Sequence, residues 1–260
     1  MSTNTALSTE TTSVQLYLDL LKGCLTRLLH PDSHVSLELL PTGEFNAEAR
    51  REGKDWPSEA ETMIGLHRLD NIESCVTDVL ERGIPGDLVE TGVWRGGAVI
   101  FMRAILKAYG DRDRIVWAVD SFEGLPKPGP STHTADAADT LSEFNAYLGV
   151  SLDQVKSNFA RYGLLDDQVQ FVKGWFRDSL PSVPINKIAV LRLDGDMYES
   201  TMDVLENLYS KVSPGGYVIV DDYGVYESCK AAIHDFRNKY HIEDEIKTID
   251  WSGVYWRHSR

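Results

Sequence analysis

Apolar residues in 13–29, SVQLYLDLLKGCLTRLL, fall at Val14, Tyr17, Leu18, Leu21, Cys24, Leu25 and Leu28. That three-to-four spacing predicts one amphipathic helix. Residues 31–57 carry no clear period. The stretch 58–83, SEAETMIGLHRLDNIESCVTDVLERG, returns to helical spacing and closes on Gly83, a residue suited to the turn that ends a helix. The first third is therefore read as an N-terminal helical cap over 13–84. A polar, Thr-rich tail over 1–12 precedes it and is expected to be disordered.

From residue 85 to the end the pattern alternates. Apolar runs at 87–92, 114–122, 168–174, 187–196 and 215–223 read as strands. Helical patterns at 96–110, 151–163, 200–212 and 227–240 lie between and after them. Alternation of this kind predicts a mostly parallel, doubly wound sheet with helices on both faces. Two late strands, 244–250 and 253–258, should pair antiparallel and leave a mixed edge of a seven-stranded α/β sheet. One segment breaks the rhythm: residues 126–150, between the second strand and its helix, are long enough to form a lid or binding loop.

Composition narrows the function. The chain carries 40 acids against 26 bases, a formal charge of −14, which disfavours a nucleic-acid partner or an anionic membrane surface. No window approaches the roughly 18 apolar residues of a membrane span. Cys24, Cys75 and Cys229 stand alone without CxxC spacing, so a reducing compartment and a cytoplasmic protein are expected.

The first strand of the sheet ends in VETGVWRGG, with Glu90, Gly92, Gly96 and Gly97. Dinucleotide fingerprints need a second glycine where a pyrophosphate approaches the backbone, and here that position is Trp94. S-adenosylmethionine has no phosphate, and its sulfonium tolerates nearby acids. Asp120, at the end of the next strand, is placed to accept its ribose hydroxyls. The bare turn is weak evidence by itself, and its alternative is a plain strand-to-helix connection with a solvated acid.

The fourth strand ends with Asp194 and Asp196, the fifth with Asp221 and Asp222. An extended chain points residues i and i+2 to the same side. Singly, such pairs are common caps and turn formers. Gathered at one sheet edge, four carboxylates repel unless a cation compensates, and an all-oxygen donor set favours Mg²⁺. A metal-dependent methyltransferase accounts for both ends of the sheet. A haloacid-dehalogenase-like phosphatase, a sugar-nucleotide transferase with a DxD motif, and a non-catalytic binding protein are the competing readings.

The blocks DLVETGVWRGGA, DSFEGLP, NFARYGLLDDQVQF, GWFRDSLP, LRLDGDMYEST and VSPGGYVIVDDY resemble the macrocin (TylF-type) sugar O-methyltransferases of natural-product biosynthesis. The likeness spans nearly the whole chain. It implies a class I S-adenosylmethionine fold (Rossmann-like), Mg²⁺, a homodimer, and methylation of a sugar hydroxyl on a macrolide or aminocoumarin-type compound made in antibiotic biosynthesis. Carried onto this sequence, it implies a metal held by Asp194, Asp221 and Asp222. Thr91, Gly92, Val93 and Trp94, beside Glu90, would line the donor's methionine end, and Asp120 and Ser121 its ribose. Gly174, Trp175 and Phe176 would flank the adenine, Met63 would lie beside donor and acceptor, and Trp56 would face the acceptor. The base for the hydroxyl proton is expected to be Asp194, with Asp196 second.

Overall fold

The computed structural model describes residues 12–35, 42–130, 132–138 and 140–259. The expected tail lies outside these residues except for Thr12. That residue caps the first helix, α1 (Ser13–Leu25), its hydroxyl accepting the Gln15 N–H at 3.1 Å.

The stretch without a period holds more structure than its pattern predicts. Strands β1 (His34–Val35), β2 (Thr42–Gly43) and β3 (Trp56–Pro57) form a small antiparallel sheet, with α2 (Ala47–Glu52) between the last two. Two-residue strands are too short to show a period of two. Residues 58–64, expected to be helical, are not. Only α3 (Gly65–Glu81) forms there. Glu61 and Thr62 instead donate their N–H groups to the Leu25 carbonyl, and the Glu61 carbonyl accepts the Gly97 N–H at 2.8 Å. Tertiary hydrogen bonds replace the helical ones.

The remaining elements alternate as the pattern predicts. They are β4 (Asp87–Thr91), α4 (Gly97–Tyr109), β5 (Val116–Asp120), α5 (Asn145–Leu148), α6 (Leu152–Arg161), β6 (Val169–Lys173), α7 (Phe176–Ser179), β7 (Ile188–Leu193), α8 (Tyr198–Leu208), β8 (Val212–Val220), α9 (Glu227–Lys239), β9 (Lys247–Thr248) and β10 (Val254–Arg257). The seven-stranded sheet runs β6-β5-β4-β7-β8-β10-β9, parallel through β8 and antiparallel beyond it.

Alternate strand residues feed two cores. Leu88, Ala118 and Ile219 join α1, α3, α4 and α6 on one face. Val89, Val119, Val218 and Val220 join α8 and α9 on the other. With both faces covered, strands lose the polar half of their alternation and read as unbroken apolar runs. Chain order reverses between β4 and β7, and the crevice beyond such a reversal is where doubly wound sheets hold ligands.

Described residues of the 126–150 segment contribute to the lining of that crevice. The segment contains a short 3-10 turn (Leu141–Phe144) and α5. Asp136 is buried and accepts the N–H groups of Tyr198 and Glu199, at 2.8 and 2.9 Å, capping α8. The His133 ring stacks on Tyr198 at 3.9 Å. Among the described residues no helix is long and apolar enough to cross a membrane.

Candidate active site

The crevice opens into a cavity of about 1400 Å³. That exceeds the ~300–1,000 Å³ of a pocket for one drug-sized ligand. Of the residues expected in the site, all line this cavity except Thr91 and Gly174. Thr91 is fully buried and donates its hydroxyl to the Arg192 carbonyl at 3.3 Å. Gly174 gives its backbone N–H to the Asp120 carbonyl at 2.9 Å.

One side of the cavity is built from turns. Gly92, at φ 85°, lets β4 and β7 converge, since a Cβ there would sit 1.6 Å from the Asp194 carbonyl oxygen. Asp120 shapes the next turn. Its Oδ2 accepts the Val93 N–H at 2.7 Å and its Oδ1 the Phe122 N–H at 2.6 Å. Burial pushes its carboxyl upward, opposed by the amides of Phe122, Val93 and Trp94. The Ser121 hydroxyl also lies 3.3 Å from Oδ1, so the turn itself addresses most of the roughly four lone-pair sites a carboxylate offers. Ser121 gives its hydroxyl to the Gly124 carbonyl at 2.7 Å and tightens the same turn.

The opposite side is built from charge. Carboxylate oxygens of Asp194, Asp221 and Asp222 lie within 4.8 Å of one another. β7 and β8 are hydrogen-bonded neighbours, which brings the acids of the two strand ends together. The expected strand alternation is not what pairs Asp194 with Asp196. β7 stops at Leu193, and Asp196 follows in a left-handed turn at φ 58°, a conformation that Asp tolerates better than most residues. Its N–H reaches Asp222 Oδ2 at 3.0 Å.

Two arginines that the pattern did not single out hold these acids. Arg192 is completely buried near the end of β7 and pairs with Glu90, Asp194 and Asp221, the Asp194 contact being 2.7 Å. Arg68, on α3, pairs with Asp221 and, at 3.0 Å, with Asp250. Burial pushes the Glu90 carboxyl up to about 8, against the pull of Arg192. Asp194 is raised to about 6 by burial and by Asp221, again opposed by Arg192. Asp222 rises well above the carboxylate range through burial and the charges of Asp196, Asp194 and Asp221. Fully ionised, these carboxylates would outnumber the two guanidinium groups, and such an all-oxygen set is the donor chemistry of a hard divalent cation.

The roof is aromatic. Trp56 stacks on Tyr147 with ring centroids 5.1 Å apart and planes 6° from parallel, and Phe144 meets its edge at 5.5 Å. Tyr147 donates its hydroxyl to the Pro57 carbonyl at 2.6 Å, and its own carbonyl accepts the Trp94 indole N–H at 3.2 Å. Trp56 is therefore gripped by the 126–150 segment. Trp175, Phe176 and Met63 complete the walls.

Residues 14–258 match the family described as Macrocin-O-methyltransferase (TylF). The 8-demethyl-8-(2,3-dimethoxy-alpha-L-rhamnosyl)-tetracenomycin-C 4'-O-methyltransferase of Streptomyces olivaceus is 55% identical over 244 residues, covering 94% of this chain and 93% of that protein. The Mycinamicin III 3''-O-methyltransferase of Micromonospora griseorubida is 50% identical over 250 residues, covering 95% and 98%. The structure of the O-methyltransferase NovP superposes with a TM-score of 0.91 at 51% identity, over 95% of this chain and 100% of that one. Identity this high over nearly the whole chain leaves no place for the phosphatase or sugar-nucleotide readings. The fold is the class I methyltransferase fold, and the chain belongs to the macrocin O-methyltransferase family.

Proposed function

We propose that this O-methyltransferase transfers the methyl group of S-adenosylmethionine to a sugar hydroxyl of a glycosylated natural product in antibiotic biosynthesis, with Mg²⁺ at the carboxylate cluster. The observation that carries the reading is the union, in one cavity, of a glycine turn shaped by Asp120 and an oxygen site formed by Asp194, Asp221 and Asp222. The relatives named above, one acting on a rhamnosyl compound and one on mycinamicin III, support the choice of acceptor.

When bound, the donor supplies a methyl group made electrophilic by its sulfonium. When bound, the cation supplies charge that makes an adjacent hydroxyl more acidic. The chain's own residues do the rest. Gly92 to Trp94 and Glu90 would take the methionine end, Asp120 and Ser121 the ribose, and Trp175 and Phe176 the adenine, with Met63 between donor and acceptor. Asp194 would take the acceptor's hydroxyl proton as the oxygen–methyl bond forms and the sulfur–methyl bond breaks, with Asp196 the second candidate. Arg192 holds Asp194 in place through the 2.7 Å contact. Trp56 and the 126–150 lid would cover the sugar and exclude water. Alignment of this kind supplies up to roughly 7–11 kcal/mol in the best intramolecular cases.

The test is turnover with S-adenosylmethionine and glycosylated tetracenomycin, mycinamicin and aminocoumarin acceptors, read by mass spectrometry. Methylated product that disappears in excess EDTA and returns with Mg²⁺ is expected. Full activity in EDTA would remove the cation, and failure of S-adenosylhomocysteine to bind in calorimetry would remove the donor.

The remaining expectations fit the same reading. Residues 13–84 would act as the cap of a catalytic domain spanning 85–260. Free thiols at Cys24, Cys75 and Cys229 suit a cytoplasmic setting. On α1, Leu18, Leu21 and Leu25 are buried, while Leu16, Tyr17 and Leu20 remain 60%, 38% and 57% exposed. That outer apolar face supports a homodimer, and a monomer mass in sedimentation at micromolar concentration would dismiss it.

A further inference from the structure

Arg68 does more than neutralise an acid. Its guanidinium, buried on α3, touches three separate parts of the site. Nη1 donates to Asp221, Nε donates to Asp250 at 3.0 Å, and Nη2 donates to the Gly53 carbonyl at 3.2 Å. The Trp251 ring lies over the same group, 5.7 Å away, and its indole N–H donates to the Glu52 carbonyl at 2.7 Å.

Glu52 and Gly53 close α2 and lead directly into Lys54, Asp55 and Trp56, all of which line the cavity. Gly53 is required for the contact: it sits at φ 63°, and a Cβ there would lie 2.5 Å from Arg68 Nη2. One side chain therefore ties a carboxylate of the oxygen cluster, the loop between β9 and β10, and the chain segment that carries the acceptor wall.

We infer that Arg68 is a positioning residue that couples cation occupancy at Asp221 to the order of the acceptor wall, residues 50–57. The inference rests on the proposed function, in which Asp221 holds a divalent cation. Asp221 meets Arg192 through Oδ1 and Arg68 through Oδ2. A divalent ion on that carboxylate draws charge away from both guanidinium contacts. Arg192 keeps Glu90 and Asp194 as partners, both inside the cluster. Arg68 keeps Asp250 and the Gly53 carbonyl, so its weight passes outward to the wall. Coupling between two sites is reciprocal: a ligand that fixes the wall must strengthen cation binding by the same factor.

The experiment is hydrogen exchange of the full chain with S-adenosylhomocysteine, with and without Mg²⁺, beside calorimetric titration of Mg²⁺. In the wild type, Mg²⁺ should slow amide exchange across residues 50–57 about fivefold, the lower end of typical coupling factors. R68K keeps the charge, but its single ammonium does not span both Asp221 and Gly53. It should bind Mg²⁺ more weakly by no more than the same coupling factor of about fivefold, and at saturating Mg²⁺ the wall should no longer respond. Trp251→Phe keeps all the Arg68 hydrogen bonds and loses only the indole bond to Glu52, so it should retain most of the slowing. It also serves as the folded control.

Slowing in the wild type that vanishes in R68K supports the coupling. Saturated Mg²⁺ binding with unchanged wall exchange in the wild type, or the same slowing in R68K, overturns it while leaving the proposed function standing. No Mg²⁺ binding to the wild type overturns the metal reading itself.

Discussion

The two halves of the cavity rim are held by opposite means. On one side, at the ends of β4 and β5, backbone turns make the surface, and a single carboxylate, Asp120, fixes them through the N–H groups of Val93 and Phe122. On the acid side, at the ends of β7 and β8, side-chain charges make the surface, and Arg192 and Arg68 fix them. A turn held by backbone hydrogen bonds tolerates many neighbouring side chains. A buried charge network does not, because removing one member leaves its partners unpaired in a place where water cannot reach them.

The sharpest way to break that contrast is Asp221→Ala. The substitution removes a partner from two buried guanidinium groups at once. Loss of stability of about 3–5 kcal/mol is expected, the range for breaking a buried pair from one side, together with a fall in kcat of at least about 10²–10³, the scale of losing one preorganised electrostatic group. Donor affinity by calorimetry should stay within a few-fold. If it collapses as well, the halves are not independent and the comparison fails.

Asp120→Ala probes the other half and should show the mirror-image pattern. Two backbone N–H groups lose their acceptor, at about 1–3 kcal/mol for each donor left buried and unsatisfied. S-adenosylhomocysteine should bind at least about tenfold more weakly, equivalent to roughly 1.4 kcal/mol, while Mg²⁺ affinity is unchanged. Unaltered donor affinity would mean that Asp120 serves the turn alone and that the ribose is held elsewhere.

The same contrast explains what the sequence made legible. Glycines and strand-end acids are local signals. Gly92, Asp120 and the pairs at 194–196 and 221–222 could be placed on a sheet edge from pattern alone, and the structure puts them on one cavity. The counter-cations were harder. Arg192 carried a usable signal, since it interrupts the apolar run AVLRL two residues before Asp194. A charge in a strand covered on both faces needs a partner. Arg68 gave none. It sits 153 residues from Asp221, on a helix whose spacing says only that one face is buried. The non-helical 58–64 stretch was also illegible, because bonds to Leu25 and Gly97 decide its conformation. The roof was invisible for a similar reason: no local rule pairs Trp56 with Tyr147, 91 positions apart in the chain.

That roof decides whether the two halves work separately, and Tyr147→Phe is the gentlest way to ask. The tyrosine stacks on Trp56 while its carbonyl accepts the Trp94 indole N–H. Its hydroxyl is held protonated by burial, which pushes its pKa up, so it is a hydrogen-bond donor across the neutral range. Removing only that hydroxyl leaves the ring stack and the Trp94 contact intact. The Pro57 carbonyl also keeps a partner in Arg95 Nη1 at 3.2 Å, so no acceptor is left unsatisfied. The expected loss is therefore that of one ordinary hydrogen bond, about 0.5–1.5 kcal/mol. Felt only where Tyr147 meets Pro57, it should raise the acceptor KM by roughly two- to tenfold, with kcat and donor affinity unchanged. A parallel loss of donor affinity would show that the roof transmits through Trp94. The donor turn would then be held from above as well as by Asp120, and the division of the rim into a backbone half and a charge half would have to give way to one closed ring of contacts.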